Sequence, residues 1–175
     1  MAYQSEIDKL EQRYHENPQQ WFAALADSYR KVGDLDLALE VVRGGLEKRP
    51  NYASGHIVLG RCLLDKQQPD EAALSFEQVL ELDAENIIAL KSLGDIAEQK
   101  GDFTGAKQWL ASLLDIDPMN FDVLYNLAMT AFEVGDSQRA RQALERFVSL
   151  APQDRYGPDI ELARQRLQAL PGDSR

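Results

Sequence analysis

The sequence repeats at intervals of 34 residues, and this repetition limits the folds that are open to the chain. When the chain is shifted by 34 residues against itself, apolar and small residues superpose in successive copies. The aligned sets include Leu59-Gly60, Leu93-Gly94 and Leu127-Ala128, and also Ala72, Ala106 and Ala140. A period of this length indicates stacked copies of one structural unit.

We therefore divide the chain into four copies with an additional segment at each end. The predicted segments are an N-terminal helix at 1–18, copies at 19–52, 53–86, 87–120 and 121–154, and a capping helix with a tail at 155–175. Since a single copy cannot bury its apolar face alone, we expect all of them to fold as one domain. The final residues, Pro171 to Arg175, are predicted to fray.

Each copy is predicted to form two helices joined by a tight turn. Apolar residues recur at helical spacing over 87–99 and again over 105–117. Gly101 lies between these stretches, where a left-handed glycine ends a helix at low steric cost. Glycines take the same place in the first and fourth copies, whereas the second copy has Pro69 just ahead of its second helix.

This pattern resembles the tetratricopeptide repeat (TPR) family, whose 34-residue unit carries small residues, aromatic residues and a late proline at fixed places. The resemblance implies an all-α fold, a right-handed superhelical solenoid of tetratricopeptide helix-turn-helix repeats with terminal capping helices. The small residues predict close helix contacts, and we expect the tightest of them at Gly94. Gly45 stands where the family usually has alanine, which suggests looser packing at that point.

Composition disfavours several classes of partner. Nineteen basic and 29 acidic residues leave a net charge of −10, which repels phosphate backbones and anionic lipid headgroups. We therefore expect no nucleic-acid partner and no membrane partner. The first residues lack the apolar run of a secretory signal, and the one cysteine, Cys62, cannot form an internal disulfide. Both observations favour a cytoplasmic protein.

The residues indicate no reaction centre. The chain lacks the motifs of phosphate-binding loops, zinc proteases and serine hydrolases. His15 and His56 are interpreted as a surface residue and a packing residue, and Cys62, for which no paired base can be named, as a small buried residue. Trp21 and Trp109 are also interpreted as packing residues. We predict a protein that is not an enzyme, with no catalytic residue, no metal and no cofactor.

The resemblance further implies a concave groove lined by the first helix of each copy. We predict partner-binding residues at first-helix positions that the core pattern leaves free. These residues are Arg30, Lys31, Ile57, Val58, Arg61, Ile88, Lys91, Tyr125, Asn126 and Met129. The apolar and aromatic members would anchor a ligand, and the basic members would orient it and bring the groove closer to neutrality than the whole chain.

The leading hypothesis is a non-enzymatic scaffold that binds a peptide or a helix of a partner protein in this groove. One alternative is a secretion-type chaperone for an exported protein, which the small size and the acidity favour. Another is a regulatory or self-assembling subunit of a larger complex, which includes the case of a homo-oligomer. Exposed aromatic residues near the ends, such as Tyr3, Trp21 or Tyr156, would favour this last alternative.

Overall fold

The computed structural model describes residues 2–170, with side chains from residue 5 onward. Within this range the chain forms ten helices and no strand. The helices are α1 (Ala2–Glu16), α2 (Pro18–Lys31), α3 (Leu35–Lys48), α4 (Ala53–Asp65), α5 (Pro69–Leu82), α6 (Ile87–Gln99), α7 (Phe103–Ile116), α8 (Phe121–Glu133), α9 (Ser137–Leu150) and α10 (Gln153–Ala169). The predicted all-α succession of helix-turn-helix pairs is confirmed.

Contacts divide the chain into two compact units, Met1–Ser92 (unit 1) and Leu93–Arg175 (unit 2). The division falls within α6. In unit 1, α2 packs on α3 and α4 packs on α5. In unit 2, α8 packs on both α7 and α9, and α10 packs on α9. Each unit therefore builds its own core from neighbouring helices.

The turns between paired helices combine a left-handed residue with an N-cap. Gly101 has a φ of +74°, and the Asp102 carboxylate accepts a hydrogen bond from the Gly105 backbone N–H at 2.9 Å. In the second copy Gln67 takes the left-handed conformation at a φ of 59°, while Pro69 opens α5. The turn geometry is thus kept where glycine is absent.

The N-terminal helix α1 packs against α2. Ile7 is buried in this contact, and the Tyr29 hydroxyl donates a hydrogen bond of 2.5 Å to the Glu11 carboxylate. Burial of Tyr29, together with this bond to an anion, raises the pKa of its hydroxyl to about 12. The predicted extra helix therefore covers the first helix pair.

The centre of unit 1 is built around Phe22, whose side chain is completely buried. A Cβ atom added to Gly45 would lie 2.1 Å from the Phe22 ring, and one added to Gly55 would lie 2.9 Å from it. The ring fills the volume that an alanine would need. The expectation of looser packing at Gly45 was therefore wrong, because the glycine admits an aromatic ring.

The expectation that Gly94 marks the tightest helix contact was also wrong. A Cβ atom on Gly94 would meet the Trp109 Cβ at 3.7 Å, an ordinary van der Waals distance. A Cβ atom on Gly60 would lie 2.7 Å from the Phe76 ring. The smaller Leu110 takes the place of Phe76 in the third copy, so the glycine there has more room.

The C-terminal helix α10 begins at Gln153, two residues ahead of the predicted capping segment at 155–175. It is kinked at Tyr156, with φ −113° and ψ 15°, because Pro158 lacks the backbone N–H that a continuous helix needs. The expected boundary between residues 154 and 155 thus falls inside this helix. Pro171 to Arg175 and the side chain of Tyr3 lie outside the described residues.

Candidate partner-binding groove

A cavity of about 560 Å³ opens on unit 1, where the first helices α2 and α4 meet the start of α6. We call it the unit 1 groove. Its lining consists of Gln20, Trp21, Ala23, Ala24, Asp27, Tyr52, Ser54, Ile57, Val58, Arg61 and Ile88. The volume falls in the range that small-molecule and peptide side-chain sites occupy. Most of these residues are apolar or small, and the two charged ones carry opposite signs.

Aromatic rings form one fixed wall of the unit 1 groove. Tyr52 packs against the buried Phe22, with ring centroids 5.4 Å apart. The Arg49 guanidinium lies 4.1 Å from the centre of the Tyr52 ring and donates a hydrogen bond of 2.7 Å to the Gln19 carbonyl. Since Tyr52 is held on both sides, this wall is ordered before any ligand arrives, which lowers the entropic cost of binding.

A network of ion pairs fixes the spacing of the first helices. The Arg30 guanidinium lies 2.9 Å from Asp27 on its own helix and 3.0 Å from Asp65 on α4. Lys31 lies 2.8 Å from Asp27. Burial by itself would raise the pKa of Asp27, but the hydrogen bonds from Lys31 and Arg30 outweigh it and hold the pKa below its ordinary value. Arg30 and Lys31 therefore form ion pairs with carboxylates of the chain itself.

Arg61 differs from these two basic residues. It is half-buried in the lining of the groove, and it makes no ion pair with any residue that the structure describes. Ile57 and Val58 precede it on α4, and Ile88 faces it from α6 with 41% of its surface exposed. A ligand in the groove would therefore meet apolar surface beside one cation.

The predicted site residues separate into groups. Ile57, Val58, Arg61 and Ile88 come together in the unit 1 groove, although Val58 is only 7% exposed. Arg30 and Lys31 lie beside it, in the ion-pair network. Lys91 is exposed on α6 and does not line the groove. Their role in binding stays a prediction.

The three predicted residues in unit 2 lie on α8. Tyr125 and Asn126 line a second cavity of about 150 Å³, which we call the unit 2 cavity. Its lining consists of Asp122, Tyr125, Asn126, Phe147, Tyr156 and Asp159. Met129 is half-buried and lines neither cavity. Tyr156 is only 8% exposed, so it offers too little aromatic surface to form an interface between copies of the chain.

Sequence reasoning missed two aromatic residues of the unit 1 groove. Trp21 was interpreted as a packing residue, but it lines the groove and carries the Arg13 guanidinium 4.8 Å from its ring centre. Trp21 shares a helix face with Ala24, three positions further on, which also lines the groove. Tyr52 lies in the turn before α4, where helical periodicity gives no information.

Cys62 and the two histidines have different surroundings in the fold. Cys62 is completely buried, and this burial raises the pKa of its thiol to about 11. The His56 ring lies 2.6 Å from the Pro50 carbonyl oxygen, within hydrogen-bonding distance, and His15 is exposed on α1. Residues 2–170 contain no group of three or more side chains placed to hold a metal ion.

None of the helices in the described part of the chain is both long enough and apolar enough to cross a membrane.

Two curated proteins with sequence similarity to this chain come from an animal and a fungus. The Caenorhabditis elegans tetratricopeptide repeat-containing protein trd-1 is 27% identical over 127 residues, which is 72% of this chain and 16% of that protein. The peroxisomal targeting signal receptor of Candida albicans is 30% identical over 105 residues, 60% of this chain and 17% of the receptor. The chain thus spans about one sixth of the length of these relatives.

Solved structures share the fold. The crystal structure of the MamA protein has a TM-score of 0.72 at 23% identity, covering 88% of this chain and 86% of MamA. A thermophilic TPR protein of Thermus thermophilus has a TM-score of 0.61 at 18% identity, covering 96% of this chain and 91% of the other. At these identities the likeness establishes the fold, which is the all-α TPR solenoid.

A protein-family sequence model matches most of the chain. The sequence pattern of the TPR domain of cytochrome c-type biogenesis protein H matches residues 3–156. This range includes helices α2 to α9 and therefore all four helix pairs. It agrees with the repeat that the sequence displays at intervals of 34 residues. The chain is a tetratricopeptide repeat protein and belongs to the family of the cytochrome c-type biogenesis protein H TPR domain.

Proposed function

We propose that the protein is a scaffold that binds a segment of a partner protein in the unit 1 groove and has no catalysis of its own. TPR arrays typically act as interaction modules through such concave surfaces. The observation that carries the proposal is the lining of the groove, in which Trp21, Tyr52 and Ile57 stand beside Arg61. A few desolvated aromatic and aliphatic anchors supply most of the affinity in protein interfaces.

The chemistry of the lining defines the partner segment. Ile57, Val58 and Ile88 favour a segment that presents two or three apolar side chains, as an extended strand or as one face of a helix. Arg61 would orient that segment by pairing with a carboxylate or with a backbone carbonyl. Because Asp27 is already neutralised by two basic side chains, the groove does not repel an acidic segment in the way the chain as a whole does.

Site-specific photocrosslinking in the source cell tests the proposal. A benzophenone amino acid replaces Ile57 in the groove and, in a matched control, Leu74, which is 62% exposed on α5 and lines none of the cavities described above. We expect a discrete crosslinked protein from position 57 and none from position 74. The proposal fails if position 74 captures a protein and position 57 does not, or if neither captures one.

The basic residues offer a second test on the same surface. Arg61→Glu combined with Lys91→Glu should weaken capture at position 57 while leaving the helix content unchanged. Lys48→Glu with Lys66→Glu is a control that changes the net charge by the same amount, with both residues exposed and outside the groove. Equal capture by the two double variants would show that neither Arg61 in the groove nor Lys91 outside it contributes to binding.

The family match favours a role in cytochrome c-type biogenesis as the pathway that the scaffold serves, because it extends over residues 3–156. Deleting the protein in its source cell should then lower the amount of covalently attached haem, measured by haem staining of separated proteins. Re-expression of the wild type should restore it, and the Ile57→Glu variant should not. Unchanged haem staining after deletion would exclude this pathway and leave the scaffold proposal intact.

A further inference from the structure

The unit 2 cavity lies between α8 and the start of α10 and has aromatic walls. The Phe147 ring centroid lies 5.2 Å from that of Tyr125 and 5.7 Å from that of Tyr156. Phe121 meets the Tyr156 ring edge-on at 5.8 Å. Because Phe147 and Tyr156 are buried, the positions of these rings are set by the core of unit 2.

Two carboxylates stand at the rim of these aromatic walls. Burial, together with the neighbouring Asp122 carboxylate, raises the pKa of the Tyr156 hydroxyl, and Asp122 lines the cavity. Asp159 lines the same cavity and makes no ion pair with any residue that the structure describes. Both carboxylates are exposed to solvent, and beside aromatic rings they give a region of negative potential.

A cation of the chain already approaches this site from outside. The Arg155 guanidinium lies 5.0 Å from the centre of the Tyr156 ring and 3.6 Å from the Asp122 carboxylate. Its side chain is 70% exposed, and Arg155 does not line the cavity. The site therefore holds a guanidinium of the chain beside Tyr156 and Asp122, while Asp159, which also lines the cavity, takes no part in that ion pair.

From this geometry we propose that the unit 2 cavity binds the cationic end of a lysine or arginine side chain from a partner polypeptide. The ammonium or guanidinium group lies against the rings of Tyr125 and Tyr156 and pairs with Asp159. Recognition of cations by aromatic faces is worth most where water is partly excluded. The inference rests on the proposed function for the source of the ligand, since a partner segment supplies the side chain.

Three small probes separate charge from shape. They are the N-acetyl methylamides of L-lysine, L-arginine and L-norleucine, the last matching the lysine chain without its charge. The whole protein is titrated with each probe and followed by NMR at the rings of Tyr125 and Tyr156. A ligand of about 14 non-hydrogen atoms is expected to bind with a dissociation constant of about 1 mM. We expect saturable shifts with a cationic probe and binding about fivefold weaker or worse with norleucine.

Variants connect the binding to the named residues. Asp159→Asn should weaken binding of the cationic probe about three- to fivefold, whereas Glu161→Gln, on the same helix and outside the cavity, should leave it unchanged. Arg155→Gln should tighten it, because an internal competitor for the site is removed. A purely structural role for Arg155 would not produce this gain.

The inference is overturned if the norleucine probe binds as well as the cationic probes, or if none of the probes shifts the two tyrosines. It is also overturned if Asp159→Asn and Glu161→Gln have the same effect, since binding would then follow the negative charge of the whole chain. Arginine binding without lysine binding would support the proposal and restrict the ligand to a guanidinium. None of these results depends on the unit 1 groove, so the two proposals can fail separately.

Discussion

Two adjacent glycines of α3 offer a matched test of how unit 1 is packed. Gly44 has no atom within 4 Å of an added Cβ, whereas the Cβ of an alanine at position 45 would lie 2.1 Å from the Phe22 ring. Both substitutions improve helix propensity by about 1 kcal/mol, because glycine is less favourable than alanine by that amount in a helix interior. The two variants therefore differ only in the steric contact with Phe22.

The magnitude follows from how little Phe22 can move. Its ring is completely buried and is confined on another side by Gly55. Overpacking a rigid core costs about 1 to 3 kcal/mol, and a contact of this severity belongs in the upper half of that range. After the gain in propensity, Gly45→Ala should destabilise the protein by about 1 to 2 kcal/mol, while Gly44→Ala should stabilise it by up to about 1 kcal/mol.

Thermal unfolding followed by circular dichroism measures the difference. For a chain of this size 1 kcal/mol corresponds to about 2 to 4 °C in Tm, so the two variants should be separated by several degrees. Adding Phe22→Leu to Gly45→Ala should make the alanine less harmful than it is in the wild-type background. If Gly45→Ala melts at or above the temperature of Gly44→Ala, the account of the Phe22 core is refuted.

Three further results are expected. Gly60→Ala should lower Tm because its Cβ would lie 2.7 Å from Phe76, while Gly94→Ala, at ordinary contact distance, should raise it; the reverse order would contradict the packing. The pKa of Asp27 is lower in the folded chain than its ordinary value of 3.8, so its contribution to stability is present above that pH and is lost as the pH falls through the folded pKa. Denaturant titrations should therefore show a smaller loss of stability below pH 4 for Asp27→Asn than for the wild type, and equal losses would argue against the ion pairs. Because burial raises the pKa of the Cys62 thiol to about 11, a thiol reagent at pH 7.5 should label it no faster than the protein opens, and rapid stoichiometric labelling of the native protein would be inconsistent with this burial.

Much of the fold could be predicted because the repeat marks its own helix ends. Gly33, Gly101 and Gly135 adopt positive φ angles, as glycines after a helix commonly do. Packing density was harder to predict, since it depends on which residue faces each small side chain. Gly45 is crowded because Phe22 occupies the space, and nothing within one copy of the repeat identifies that neighbour.

The candidate site could be predicted in part for a similar reason. Counting along α4 finds Ile57 and Arg61 on one helix face, and both line the unit 1 groove. The pairing of Arg30 with Asp65 joins two copies across 35 residues, and a single helix pattern does not reveal it. Tyr52 lies in a turn, where helical periodicity does not apply, so its place in the groove could not be predicted from the sequence.

The most direct test of the central claim measures the affinity of the captured segment for the groove. Mass spectrometry of the protein crosslinked at position 57 identifies the peptide segment that carries the crosslink. A synthetic copy of this peptide is then titrated calorimetrically into the wild type, Ile57→Glu and the exposed control Leu74→Glu. The account predicts at least a tenfold loss of affinity for Ile57→Glu, about 1.4 kcal/mol, and a change within about twofold for Leu74→Glu, with all three proteins equally helical. Equal affinity for Ile57→Glu and the wild type would show that the partner binds elsewhere.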